Sequence, residues 1–203
     1  TNGGLDLKYG IDDSFTLDVT LIPDFGQTVF DNQILNVSPF EVQFDENRTF
    51  FSEGTELFNK SNLFYSRRIG DKPSSAISLS ENEIVVESPS SVQMLNASKI
   101  SGRTAKGLGI GFFNAITEKT YASVEDTISG ETSEKLIEPL SNYNVLVLDQ
   151  VLKNNSYITF TNTNVSRQGD AKDANVEKLQ IQIGSKENRY TLYGDLAFSH
   201  LID

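Results

Sequence analysis

Few residues in this chain can carry out chemistry, and most of those fail the spacing their chemistry needs. There is one histidine, His200, and there is no cysteine. A multi-histidine metal centre, a thiolate site, a cysteine nucleophile and a disulfide framework are therefore outside its means, and no cofactor is expected. A Ser-His-Asp arrangement would need His200, yet no nucleophile elbow accompanies it. Asp24-Phe25-Gly26 copies the metal-binding triplet of kinases without a glycine loop, strand lysine or catalytic loop beside it. Gly107-Leu-Gly109-Ile-Gly111 lacks dinucleotide-loop spacing and opens a strand. Glycines at alternate strand positions leave room for large neighbours on one sheet face. Residues 102–107 have phosphate-loop spacing, but Leu108 and Gly109 stand where Lys and Ser or Thr are required. Asp12/Asp13 and Asp45/Glu46 are acid pairs; general acid–base work would require a set separation in space. Asp12 and Asp13 sit in a turn and read as solvated. No catalytic residue is assigned.

One segment remains. Residues 39–70 mix rings, acids and arginines more densely than a strand or a linker does. Glu46, Arg48, Glu53, Glu56, Arg67 and Arg68 can form charge-assisted pairs, and arginine suits bidentate contacts with carboxylates. Phe44, Phe50, Phe51, Phe58, Phe64 and Tyr65 supply the apolar side. Two readings stand. In one, the segment is a folded insert or plug pinned by Glu46, Arg48, Glu53, Arg67 and Arg68. In the other, Glu46, Arg48, Phe50, Phe51, Glu53, Tyr65, Arg67 and Arg68 line a ligand site whose rings stack on a sugar or peptide. The structural insert is preferred.

The elements around this segment are strands. Phe15, Leu17, Val19 and Leu21 alternate with Thr16, Asp18 and Thr20, a period of two. Leu5 to Ile11 alternates likewise, and Asp12-Asp13-Ser14 turns between them, which gives a hairpin over 5–21. Further hairpins are expected over 92–124, 142–167 and 176–199, each around a short polar turn. The insert of 26–91 and the stretches 125–141 and 168–175 connect them. Short turns on one side with long connections on the other match the layout of an outer-membrane barrel. The strands approach or exceed the roughly 9–11 residues that cross a bilayer at a tilt. A soluble antiparallel sandwich shows the same alternation. Helix is expected only in short pieces: over 50–59 with Ser52 as N-cap, and one or two turns over 131–140 before Pro139.

The fold class is thus all-β, an antiparallel meander of hairpins, part of an outer-membrane-type β-barrel with one long polar and aromatic insert. Hydrophobic residues make up 37% of the chain, and its net charge is −11. That balance excludes nucleic acid as a partner, because phosphate binding needs clustered Lys and Arg. It also disfavours docking on an anionic leaflet. No apolar run approaches the roughly 20 residues of a spanning helix. Both ends stop in strand-like sequence, so the 203 residues read as a single β-domain fragment. A partial barrel has two open edges. An ordered structure is expected to satisfy them through missing strands, a partner chain or altered closure.

LDLKYGIDDSFTLDVTLIPDFGQ, LNVSPFEVQFDENRTFFSEGTELF, LFYSRRIG, ASKISGRTAKGLGIGFFNAITEKT and EPLSNYNVLVL resemble, in that order, an uncharacterised Bacteroidota envelope family. Its members join an N-terminal carbohydrate-binding module, similar to family nine, to a large C-terminal β-domain. The resemblance implies the first part of that C-terminal domain, an outer-membrane location, and contact with outer-membrane lipid and with the remaining strands or a partner chain. It also implies a link to glycan binding or uptake without catalysis of its own. The alternatives are a glycan-active hydrolase with its site in 39–70, and a soluble β scaffold that docks to partner proteins. Some members carry a hydrolase label, but no catalytic residues come with it.

Overall fold

The structure, a computed structural model, describes residues 4–23 and 44–202. Asp24-Phe25-Gly26 and residues 39–43 of the aromatic segment lie outside the described residues. The strands are β1 (Leu5–Gly10), β2 (Phe15–Leu21), β3 (Glu83–Glu87), β4 (Met94–Arg103), β5 (Leu108–Thr117) and β6 (Thr120–Asp126). They continue as β7 (Thr132–Glu138), β8 (Ser141–Leu152), β9 (Ser156–Arg167), β10 (Asp173–Gly184) and β11 (Thr191–Ile202). Two one-turn helices, α1 (Thr49–Ser52) and α2 (Glu56–Asn59), and a 3-10 turn at Ser66–Arg68 occupy the insert. No helix among the described residues is long and apolar enough to cross a membrane.

The all-β antiparallel meander is the observed architecture. Eight strands form one sheet in the order β1-β2-β4-β5-β8-β9-β10-β11, every pair antiparallel. A smaller sheet, β3-β6-β7, branches off between β5 and β8. Local chemistry sets the tight turns. Asp12 Oδ1 accepts hydrogen bonds from the Ser14 and Phe15 amides at 2.7 and 2.9 Å, which closes the β1–β2 turn. Asn154 and Asn155 take the left-handed backbone, φ 57° and 52°, between β8 and β9, a conformation asparagine tolerates.

Alternation then sorts each strand into two faces. In β5, Gly109, Gly111, Phe113, Ala115 and Thr117 are buried, while Leu108, Ile110 and Ile116 are half-exposed and Phe112 exposed. The buried face carries the insert and the core, which joins Phe51, Leu57, Phe58 and Ile69 to Met94, Ala97, Phe113, Ala115, Val145 and Val147.

Three expectations are corrected. The 92–124 hairpin is two pieces: β5 ends at Thr117, Glu118-Lys119 interrupt its alternation, and β6 joins the smaller sheet. The helical turns expected over 131–140 are β7, because pairing with β6, Leu136 opposite Tyr121, overrides local propensity. The helix over 50–59 splits in two, and Ser52 ends α1 instead of capping a start; its hydroxyl donates back to the Thr49 carbonyl. Among the described residues β1 and β11 each pair on one side only, which leaves both edges available to further strands or a partner chain.

Candidate functional site: the insert and the cavity beside it

The insert rests on the inner face of β4, β5 and β8 through its rings. Phe113 is the hub: Phe51, Phe58 and Phe64 place their ring centroids 5.8, 6.3 and 5.0 Å from it. Phe50 meets Phe51 edge-on at 5.2 Å, an arrangement that ring quadrupoles favour. The alternate glycines of β5 make this contact possible. A Cβ on Gly109 would lie 2.8 Å from Leu57 Cδ2, and one on Gly111 would lie 3.1 Å from Phe58 Cε1. The glycine run is therefore a seat for α2.

Charges fasten the insert in two ways. Arg48 is buried and grips Glu46 bidentately, its Nε donating to Oε1 at 2.9 Å and its Nη2 to Oε2 at 2.7 Å. The same guanidinium donates to the carbonyls of Ile69 and Ser66, both at 2.7 Å, and lies over the Phe51 ring at 4.1 Å. The Ser66 hydroxyl donates to Glu46 Oε2 at 2.6 Å. Burial opposes ionisation of Glu46, but the hydrogen bonds from Arg48 and Ser66 and the Arg48 charge outweigh it and hold the carboxyl below its ordinary range. This pair ties the start of the insert to its end.

The ties to the sheet are others. Glu53 accepts from Lys8 of β1 at 2.9 Å, and that bond lowers its pKa. Lys99 of β4, fully buried, donates to the carbonyls of Phe50 and Glu53 and lies 3.7 Å from Asp18. Asp149 of β8 is 0% exposed and accepts from Lys60 of the insert, from Arg103 at 2.5 Å and from Thr159 Oγ1 at 2.6 Å.

The residues singled out from the sequence thus divide. Glu46, Arg48, Phe50, Phe51 and Glu53 lie within the fastening. Tyr65 accepts from the Phe44 amide at 2.9 Å, and Arg68 lies over the Tyr65 ring at 5.7 Å. Arg67 sits beside Arg68 in the 3-10 turn. Lys60, Lys99 and Asp149 went unrecognised. A signal existed for Asp149: it shares strand parity with Val145 and Val147, so it marks a charge on a buried row. As placed, Glu46 and Glu53 are each committed to a cation, which suits anchoring more than proton transfer.

Beside the insert, on the same inner face, lies a cavity of about 570 Å³. Tyr65, Arg68 and Lys72 line one side, and Thr117, Tyr143 and Arg167 line the other. It sits at the end of the sheet from which the long connections leave, since Thr117 and Arg167 are the last residues of β5 and β9.

The family model described as "Domain of unknown function (DUF5916)" matches residues 1–203, and the chain belongs to that family. No curated protein and no solved structure matches it.

Proposed function

We propose that this DUF5916 chain is a segment of an outer-membrane β-barrel, its outer face against lipid and its insert lodged on the lumen side. The whole protein would be an envelope protein linked to glycan binding or uptake. The outer face of the sheet carries the reading. Opposite the insert stand Leu5, Leu7 and Tyr9 on β1 and Phe15, Leu17, Val19 and Leu21 on β2; Leu108, Ile110 and Phe112 follow on β5. Leu146 and Leu148 on β8, Ile158 and Phe160 on β9, and Leu179, Ile181 and Ile183 on β10 continue the band. Leu5, Leu7, Tyr9, Leu21, Phe112, Leu148, Ile158, Leu179 and Ile183 are all exposed. Soluble proteins rarely leave a continuous apolar face of this extent uncovered.

The band also drifts as a tilted barrel requires. The register from Leu7 runs through Val19, Ser98, Asn114, Asn144 and Asn164 to Asn175. Asn175 lies six residues short of Ile181, the centre of the apolar run on β10. Six residues along a strand are about 20 Å, and six strand steps across are about 29 Å. The slope is about 35°, the tilt of strands in transmembrane barrels. On β11 the outward apolar residues, Leu192, Leu196, Phe198 and Ile202, extend along the whole strand instead. The glycan link is supported by resemblance to envelope proteins that carry a carbohydrate-binding module.

The test is extraction of the full-length protein from cell envelopes. The barrel reading expects it in the outer-membrane fraction, solubilised only by detergent and reconstituting into vesicles. Clean monomeric solubility without detergent would sink it and favour the docking scaffold.

A further inference from the structure

We propose that the cavity between the insert and β8–β10 binds a carboxylate-bearing organic ligand of sugar-acid size. It faces the side of the sheet opposite the apolar band, so its binding does not depend on lipid. Its volume, about 570 Å³, falls within the range usual for small-molecule sites. Its charge is the first sign. The chain as a whole carries −11, yet Arg68 and Lys72 from one loop and Arg167 from the end of β9 converge here, beside Asp71 and Glu138 on the lining and Asp173 next to Arg167.

Glu138 is buried and already accepts from the Ser74 amide and hydroxyl at 2.8 and 2.6 Å. Arg167 donates one side-chain N–H to the Lys172 carbonyl at 2.7 Å and its backbone N–H to Asp173, whose carboxylate also feels its charge; a guanidinium has five N–H groups to offer. A carboxylate is the group such a fork recognises.

The second sign is an orphan. The Thr117 side chain is 1% exposed and lines the cavity next to the Tyr143 hydroxyl, and its Oγ1 makes no well-formed hydrogen bond among the described residues. A buried hydroxyl without a partner costs free energy, and a ligand hydroxyl or carboxylate entering the cavity would supply one. The third sign is the aromatic wall of Phe64, Tyr65 and Tyr143, which favours a ring-bearing ligand over a bare inorganic anion.

The experiment is calorimetric titration of the full-length protein with galacturonate, with galactose as its neutral counterpart and with inorganic phosphate. Galacturonate should bind at least tenfold more tightly than either. Arg167→Gln should weaken it tenfold or more, and Lys72→Ala, at an exposed position, severalfold with an unchanged melting temperature. Lys72→Ala keeps the test alive if the arginine variant fails to fold. The proposal is overturned if galacturonate does not bind the folded protein, if galactose or phosphate binds as tightly, or if both variants retain full affinity.

Discussion

Phe112 and Phe113 are neighbours in one strand, yet they lie on opposite faces of the sheet. Phe113 is 1% exposed and anchors four rings' worth of packing on the inner face; Phe112 is 42% exposed on the outer face. The inner face is built from small, polar and charged residues that an insert completes: glycines seat α2, and Asp149 and Lys99 receive or make its polar contacts. The outer face has no such completion among the described residues. The lesson is that hydrophobicity alone does not locate a core. Here the better-packed face is the more polar one, an inside-out pattern that the proposed barrel, with lipid outside and a polar interior, would account for.

Substitutions on the two faces should separate these roles. The largest effect is expected for Phe113→Ala, about 3–5 kcal/mol of unfolding free energy, measured by denaturant titration in detergent. Phe112→Ala in the same assay should cost under about 1 kcal/mol. Equal costs would break the distinction between faces. Next comes Leu148→Arg, which places a charge near the middle of the apolar band. It should cost about 2–4 kcal/mol in a bilayer and little in a water-soluble sheet, as read by folding into vesicles. Asp149→Asn should cost about 2 kcal/mol, less than a fully enclosed pair because Lys60 and Arg103 can turn towards water. Limited proteolysis should then cut the insert sooner; an insert as protected as before would show that the rings alone hold it.

A smaller effect than that of Asp149 concerns Glu46. Its carboxyl titrates below its ordinary value of 4.5 in the folded state. Its stabilisation is therefore complete above that pH and fades as pH falls through the depressed folded value. The difference in melting temperature between the parent chain and Glu46→Gln, worth about 1 kcal/mol, should be flat above pH 4.5 and shrink below it. A difference that ignores pH would remove the Glu46–Arg48 pair from the fastening.

Much of the sheet was legible because period-two alternation writes the faces directly into β2, β5 and β8. The glycine run was legible as room for large neighbours, and the rings of 44–65 as an insert. The anchors were harder. Lys99 and Lys60 look like ordinary surface lysines until the pairing register brings one under Phe50 and the other against Asp149. The strand β7 was missed because ETSEKLIEPL has helix-forming residues, and only its partner β6 makes the extended form favourable. The cavity could not be foreseen at all: Arg68, Tyr143 and Arg167 are far apart in sequence, and folding alone gathers them.

The most direct test of the account is where the outer face sits. Nitroxide labels on single cysteines are straightforward in a chain that has none of its own. Placed at Leu7, Leu148 and Leu179 of the full-length protein in vesicles, they should collide readily with oxygen dissolved in lipid and poorly with a water-soluble nickel complex. A label at Lys8 or Gln182, whose positions have the opposite parity, should show the reverse preference. Nickel access equal at both sets of positions would contradict a lipid-facing surface and return the sheet to water.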